Sequence, residues 1–336
     1  MMAADLPLIW AGLIAFAVLA YVLFDGFDLG VGILFPLVTG QKRRDEMMNS
    51  VAPVWDGNET WLVLGGGGLF AVFPLAYSVI MSALYAPIIA MLLALIFRGV
   101  AFEFRWKTQR GQFLWDWSFA GGSIGATFAQ GVALGTLVQG VPVAQRAYAG
   151  GWWDWLTPFS VTTGVALVGG YALLGATWLI YKTEGELQTR AYRCAGIAAA
   201  TTLALIVVVS LWTPFLNADY MARWFGWPQI LFTAPVPLML AAAAYALFWG
   251  LRERWERTPF LASLALFVIS FIGLGISFYP LIVPTSVTIQ EAAAPAESLE
   301  FLLVGASVLL PIILAHTCYS YWVFRGKVNA HAAGYH

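Results

Sequence analysis

Nine long apolar runs divide the chain, at about residues 7–38, 60–81, 84–103, 117–137, 158–181, 195–213, 231–249, 259–281 and 302–323. A helix needs about 20 consecutive apolar residues to cross the hydrocarbon core of a bilayer, and each run is close to that length or longer. The pattern predicts nine membrane-spanning helices. Only Met81-Ser82-Ala83 separates the second run from the third, a turn so short that it predicts antiparallel neighbours. The polar gaps reach about 20 residues, far below the size of a soluble domain. Residues 1–336 are therefore read as a single polytopic membrane domain with no internal repeat. The start, Met1-Met2-Ala3-Ala4-Asp5, lacks the basic segment of a secretory signal. The first run is expected to be retained as a span.

Basic residues alternate between the gaps. Lys42, Arg43 and Arg44 follow the first run, Arg105, Lys107 and Arg110 the third, and Lys182, Arg190 and Arg193 the fifth. Arg252, Arg254 and Arg257 follow the seventh, and Arg325 and Lys327 the ninth. The intervening gaps hold only Arg146 and Arg223. Short cytoplasmic loops carry the excess of Lys and Arg, so the amino end is expected outside and the carboxyl end in the cytoplasm. The 16 tryptophans fall in gaps or near the ends of runs, where an interfacial aromatic belt belongs. In the fourth run, Gly121-x3-Gly125 and Gly131-x3-Gly135 have the small-residue spacing that lets helices approach closely.

Composition narrows the class. Hydrophobic residues make up 60% of the chain and charged residues 10%, against roughly 25% charged in an average soluble domain. So few charges could not cover a soluble surface. The balance of 17 basic and 18 acidic residues offers no basic field for nucleic acid. A soluble enzyme, a disordered protein and a nucleic-acid binder are excluded. Cys194 and Cys318 are too few for a disulfide framework or a metal cluster. Of three histidines, only His316 lies in a run; His331 and His336 are in the polar tail. A low-spin b haem takes two strong axial ligands. His316 alone could ligate a five-coordinate haem, be hydrogen-bonded structure or lie on a proton route; this chain is expected to bind no haem or other metal by itself.

Ionisable residues inside a membrane are costly and mark functional sites. Asp25 and Asp28 lie three apart in the cytoplasmic half of the first run and share a helix face. Such a pair can hold and release a proton, or bond backbone, or meet a basic residue at a subunit contact. Asp56 and Glu59 repeat the spacing at the start of the second, as a second proton-handling pair or as acids that cap a helix start. The following Gly65-Gly66-Gly67-Gly68 points to a close backbone neighbour or an unwound segment. Arg98, with Glu103 and Arg105 nearby, lies about one turn inside the third run. It either snorkels to the interface or pairs with Asp25, Asp28, Asp56 or an anionic group of a partner.

The run FDGFDLGVGIL at Phe24–Leu34 resembles the first helix of subunit II of cytochrome bd-type quinol oxidases. APVWDGNETWLVLGGGGLFAVFP from Ala52 resembles that family's second signature. IFRGVAFEFR on the third run and Leu137-Val138-Gln139-Gly140-Val141-Pro142 after the fourth match in order. The resemblance covers nearly the whole chain, and the short outer loop between the sixth and seventh runs is similar to the compact, cyanide-insensitive-like members. It implies an all-α integral membrane protein of nine transmembrane helices, arranged as two four-helix bundles plus one peripheral helix. It also implies a haem-free subunit in a bacterial inner membrane, paired with a haem-bearing subunit I and with small accessory subunits where the complex has them. That partner would carry two b-type haems, one d-type haem and the site that oxidises quinol. Asp25, Asp28 and Asp56 would lie on or near a cytoplasmic proton route, with Glu59 at a position that varies between Glu and Gln. Arg98 and Glu103 would be charge partners or interface residues, and Trp61 would sit near an oxygen path. The rival reading is a proton-coupled secondary transporter with Asp25, Asp28 and the glycine region as its site.

Overall fold

The computed structural model describes residues 5–108 and 110–328; His331 and His336 lie outside the described residues. In chain order the helices are α1 (Leu6–Leu34), α2 (Gln41–Asn49), α3 (Trp55–Val72), α4 (Pro74–Ala83), α5 (Tyr85–Lys107), α6 (Gln112–Gln139) and α7 (Pro158–Lys182). They continue as α8 (Gly185–Trp212), α9 (Ala218–Phe225), α10 (Ile230–Thr233), α11 (Pro235–Arg252), α12 (Thr258–Phe278), α13 (Ile289–Ala292) and α14 (Ala296–Val323). Two short hairpins, β1 (Val143–Ala144) with β2 (Ala147–Tyr148) and β3 (Leu281–Val283) with β4 (Val287–Thr288), occupy loops that the basic-residue count assigns to the outer side.

Among the described residues, seven helices are long and apolar enough to cross a membrane, and the bent pair α3–α4 makes an eighth. The second apolar run is not the straight 60–81 helix that hydropathy suggests. It begins at Trp55 and breaks at Phe73, where the chain turns by 120° into α4. Pro74 is the cause: its ring disfavours the helical conformation in the preceding residue and it has no N–H to donate. The carbonyl of Val72 is satisfied instead by the amide of Ala294, 2.8 Å away in the loop before α14. The bend also cancels the expected antiparallel pairing of the second and third runs. α3 packs along α1, whereas α5 packs along α6.

α1 and α7 form the centre. α1 is flanked by α3, α6 and α7, and α7 by α6, α8 and α12. Glycines set these approaches. A Cβ on Gly30 would run into the Tyr171 carbonyl and the Gly175 amide, and one on Gly175 into the backbone of Gly30 and Val31. Gly131 and Gly135 of α6 meet Gly164 and Ser160 of α7 in the same way, at 2.6 Å for each added Cβ. The small-residue spacing read in the fourth run therefore works within this chain. The four glycines of α3 are helical throughout, so that segment is not unwound. Gly65 and Gly68 let α3 lie on Val18 and Ile14 of α1, while Gly66 and Gly67 face open space.

Candidate functional site

The carboxyl-terminal half of α1 is buried without interruption from Asp25 to Gly32. On one side its backbone is in close contact with α7. Asp25 and Asp28 consequently point their carboxyls into protein. Arg98 of α5 reaches the same spot, and all three side chains are fully buried. Arg98 Nη2 is 2.7 Å from Asp25 Oδ1 and 3.8 Å from Asp28 Oδ2. Its Nη1 donates to Glu59 Oε1 of α3 at 2.6 Å. One guanidinium thus faces three carboxyls from two helices. Arg98 does not snorkel.

The arginine is seated from two sides. Trp55 and Phe102 stack with centroids 4.7 Å apart, and the guanidinium carbon lies 5.9 Å from each ring centre. Behind it, Gly122 of α6 is so close that an added Cβ would be 2.5 Å from the Ala94 carbonyl and 2.8 Å from the Arg98 amide. The Arg98 backbone is therefore clamped and its fork is aimed.

Two polar arms complete the cluster. Asn58 Nδ2 donates to Asp28 Oδ2 at 2.7 Å, and Tyr321 of α14 donates its hydroxyl to Asn58 Oδ1 at 3.0 Å. On the other side, Gln130 of α6 donates to the Tyr21 hydroxyl at 2.7 Å and accepts from the Tyr171 hydroxyl at 3.2 Å. Tyr21 stands one helical turn from Asp25. Asp25 Oδ2, Asp28 Oδ1 and Arg98 Nε make no hydrogen bond among the described residues, and the Asp25 Oδ1–Arg98 Nη2 contact is an ion pair without hydrogen-bond alignment.

Of the residues singled out in the sequence, the structure brings together Asp25, Asp28, Glu59 and Arg98. Asp56 lies in the first turn of α3, exposed and outside the buried cluster. Glu103 is exposed on the far side of α5 and pairs with Lys107 at 3.3 Å. Trp61 is fully buried between α1 and α14, with Phe16 edge-on at 5.7 Å between centroids. Sequence reasoning missed Asn58, Gln130 and the three tyrosines; a buried amide inside an apolar helix was the available signal. Arg105, read in the sequence only as a neighbour of Arg98, is a second buried arginine. Arg105 pairs with Asp45 and Asp116 at 2.6 Å each, and Arg44 pairs with Asp116 at 2.8 Å, tying α2, α5 and α6 together.

The same helices carry the signature runs, and the match extends over the whole fold. The profile of the family described as cytochrome bd terminal oxidase subunit II matches residues 6–324. The chain belongs to that family. It is 31% identical over 96% of its length to cytochrome bd-I ubiquinol oxidase subunit 2 of Escherichia coli K12, covering 95% of that protein. It is 28% identical to cytochrome bd ubiquinol oxidase subunit 2 of Bacillus subtilis 168, over 97% of this chain and 98% of the other. Among solved structures, the bd oxidase of Geobacillus thermodenitrificans has a chain that superposes with a TM-score of 0.78 at 17% identity, covering 96% of this chain and all of that one. This likeness establishes a shared fold. The chain is thus an enzyme subunit, part of a membrane-embedded respiratory oxidase, and subunit II implies a subunit I beside it.

A haem does not fit the residues that this subunit II presents. Among the described residues no three His, Cys, Asp or Glu side chains are grouped to hold a metal ion. His316 lies exposed on α14. The Arg98 cluster is filled by its own carboxyls.

Proposed function

We propose that this subunit supports the haem-bearing subunit I and supplies a cytoplasmic proton route for the reduction of oxygen to water. In this reading the partner oxidises membrane quinol and holds two b-type haems and one d-type haem, whose chemistry is electron transfer and oxygen reduction. The present chain contributes none of these groups. What carries the reading is the buried carboxyl cluster. Full ionisation of Asp25, Asp28 and Glu59 against Arg98 alone would leave two uncompensated charges in a dry site, which is costly. A proton shared among the carboxyls relieves that cost, and a site that holds an exchangeable proton can pass one on.

The orientation that fits is an outer amino end and a cytoplasmic carboxyl end, placing the cluster in the cytoplasmic half. α6 passes between α5 and α7 and supports its counting as a ninth span, although its Gly, Ser, Thr and Gln content makes it less apolar than the others. The packing also supports two four-helix bundles. One would be α1, α3, α5 and α6, the other α7, α8, α11 and α12, with α14 peripheral on α1 and α3.

The test is oxygen consumption by the assembled oxidase carrying Asp25→Asn or Asp56→Asn, with haem content measured alongside. Asp25→Asn is expected to slow turnover by about tenfold or more, the lower end of what a positioned proton-transfer group contributes, with normal haem absorption. Asp56→Asn, which lies outside the buried cluster, should slow it less. Full turnover in both variants removes the proton role, and loss of haem with loss of assembly assigns the acids to structure instead.

A further inference from the structure

We infer that Tyr321 of α14 is a positioning residue for the carboxyl cluster: acting through Asn58, it draws the shared proton away from Asp28. The inference rests on the proton-route reading above and says what balances the carboxyls within it. Of the three, Asp28 is the poorest placed to carry a charge. It has no exposed side-chain surface, and its Oδ2 is 3.8 Å from Arg98 Nη2, whereas Asp25 and Glu59 meet the guanidinium at 2.7 and 2.6 Å. With Arg98 as the only influence, the proton would stay on Asp28, because a dry site without a close counter-charge suits the neutral acid. A carboxyl that holds its proton too firmly does not exchange it.

Asn58 opposes that trap. Its Nδ2 donates to Asp28 Oδ2 at 2.7 Å, and a donated hydrogen bond favours the carboxylate. Turned over, the same amide would present its oxygen and accept the O–H of the acid instead. Tyr321 decides between the two orientations. Its hydroxyl donates to Asn58 Oδ1 at 3.0 Å, so each donor in the chain from Tyr321 to Asn58 points toward Asp28. With the amide reversed, the hydroxyl would accept from Nδ2, and its own hydrogen would have no acceptor among the described residues. Leaving a buried donor unmatched is costly. The Phe24 carbonyl supports the same orientation more weakly, accepting from Nδ2 at 3.4 Å.

Tyr321 is seated for this role. Its ring centre lies 5.4 Å from that of Phe24 on α1 and 6.5 Å from that of Trp178 on α7. Just beyond it, Lys182 at the end of α7 donates to the carbonyls of Phe324 and Gly326 at 2.5 and 2.6 Å, closing the end of α14. The hydroxyl is thus fixed to the two central helices, although α14 is the least buried span. The charged and titratable groups facing Asp28 are Asp25 on α1, Glu59 on α3, Arg98 on α5 and Tyr321 on α14, with Tyr21 of α1 and Tyr171 of α7 beside Asp25. The effect is one of occupancy: it sets which carboxyl holds the proton, and Tyr321 itself gives none up.

Tyr321→Phe tests this, because it keeps the ring and removes the hydroxyl. One net hydrogen bond changes an equilibrium by about three- to tenfold, so the pH–turnover profile of the assembled oxidase is expected to move upward by about 0.5–1 pH unit, with haem absorption unchanged. At a fixed pH the infrared carbonyl band of protonated carboxyls should grow, and Asp28→Asn in the same chain should abolish the growth. Asn58→Leu should displace the profile in the same direction, with no further movement when Tyr321→Phe is added. A profile and band superimposable on wild type in Tyr321→Phe, beside slowed turnover in Asp28→Asn, overturn the inference and leave the route standing. Wild-type turnover in both Asp25→Asn and Asp28→Asn overturns the route as well. Should Tyr321→Phe fail to assemble, Asn58→Leu decides, and a profile unchanged from wild type overturns the inference.

Discussion

Arg98 is the residue on which the site turns. It is a buried charge held by three carboxyls, and breaking a buried pair by removing one partner typically costs ~3–5 kcal/mol. Arg98→Met should therefore lower the amount of assembled oxidase in the membrane and its melting temperature. Adding Asp25→Asn to the same chain should recover part of the loss, since it removes a charge left without a partner. Equal destabilisation in the single and double variants would show that the two do not act as a pair. Arg98→Lys should not rescue function, because a point ammonium cannot hold Glu59 and Asp25 on separate donors of one rigid fork. The cluster was partly legible in the sequence. Asp25, Asp28 and Arg98 stand out as ionisable groups in apolar runs, whereas Glu103, read in the same cluster as Arg98, lies apart from it. Five residues turn an α-helix by about 500°, placing the two on different faces. The pairing of Tyr321 with Asn58 spans 263 positions, so no local pattern announces it.

At the scale of elements, hydropathy located the helices but not their partners. Run lengths say how far a helix extends and nothing about which face meets which neighbour. The second run shows the limit: Pro74 was visible in the sequence, yet apolar residues continue across it and conceal the bend. Glycines carry the missing contact information only once the helices are placed. Gly121 and Gly122 are adjacent in α6, and only the first belongs to the small-residue spacing. Yet Gly121 has nothing within 4 Å of an added Cβ, whereas Gly122 abuts the backbone of Ala94 and Arg98. Gly122→Ala is thus expected to push α6 from α5, displace the arginine, and lower both thermal stability and oxygen consumption of the oxidase. Gly121→Ala should leave both close to wild type, since alanine favours a helix over glycine. Comparable loss in the two variants would place the critical contact outside this chain.

At the scale of the molecule, the surface is largely apolar, with Phe301, Val304 and Val308 of α14 exposed by 80%, 70% and 58%. Lipid and a partner bundle are the surroundings that suit such faces. The sequence anticipated this from composition alone. Geometry bears on the span histidine as well. His316 sits on the exposed side of α14, the helix with the least buried span in the fold. A haem site needs an enclosed pocket around its axial ligand, with surrounding groups to set its potential, and nothing among the described residues encloses that imidazole. His316→Ala in the assembled oxidase should therefore leave every haem absorption band in place and oxygen consumption near wild type. Loss of one band with the complex still assembled would make His316 an axial ligand for a haem at the subunit boundary. The two subunits would then share a cofactor, and the separation of proton supply from haem chemistry proposed here would have to be redrawn.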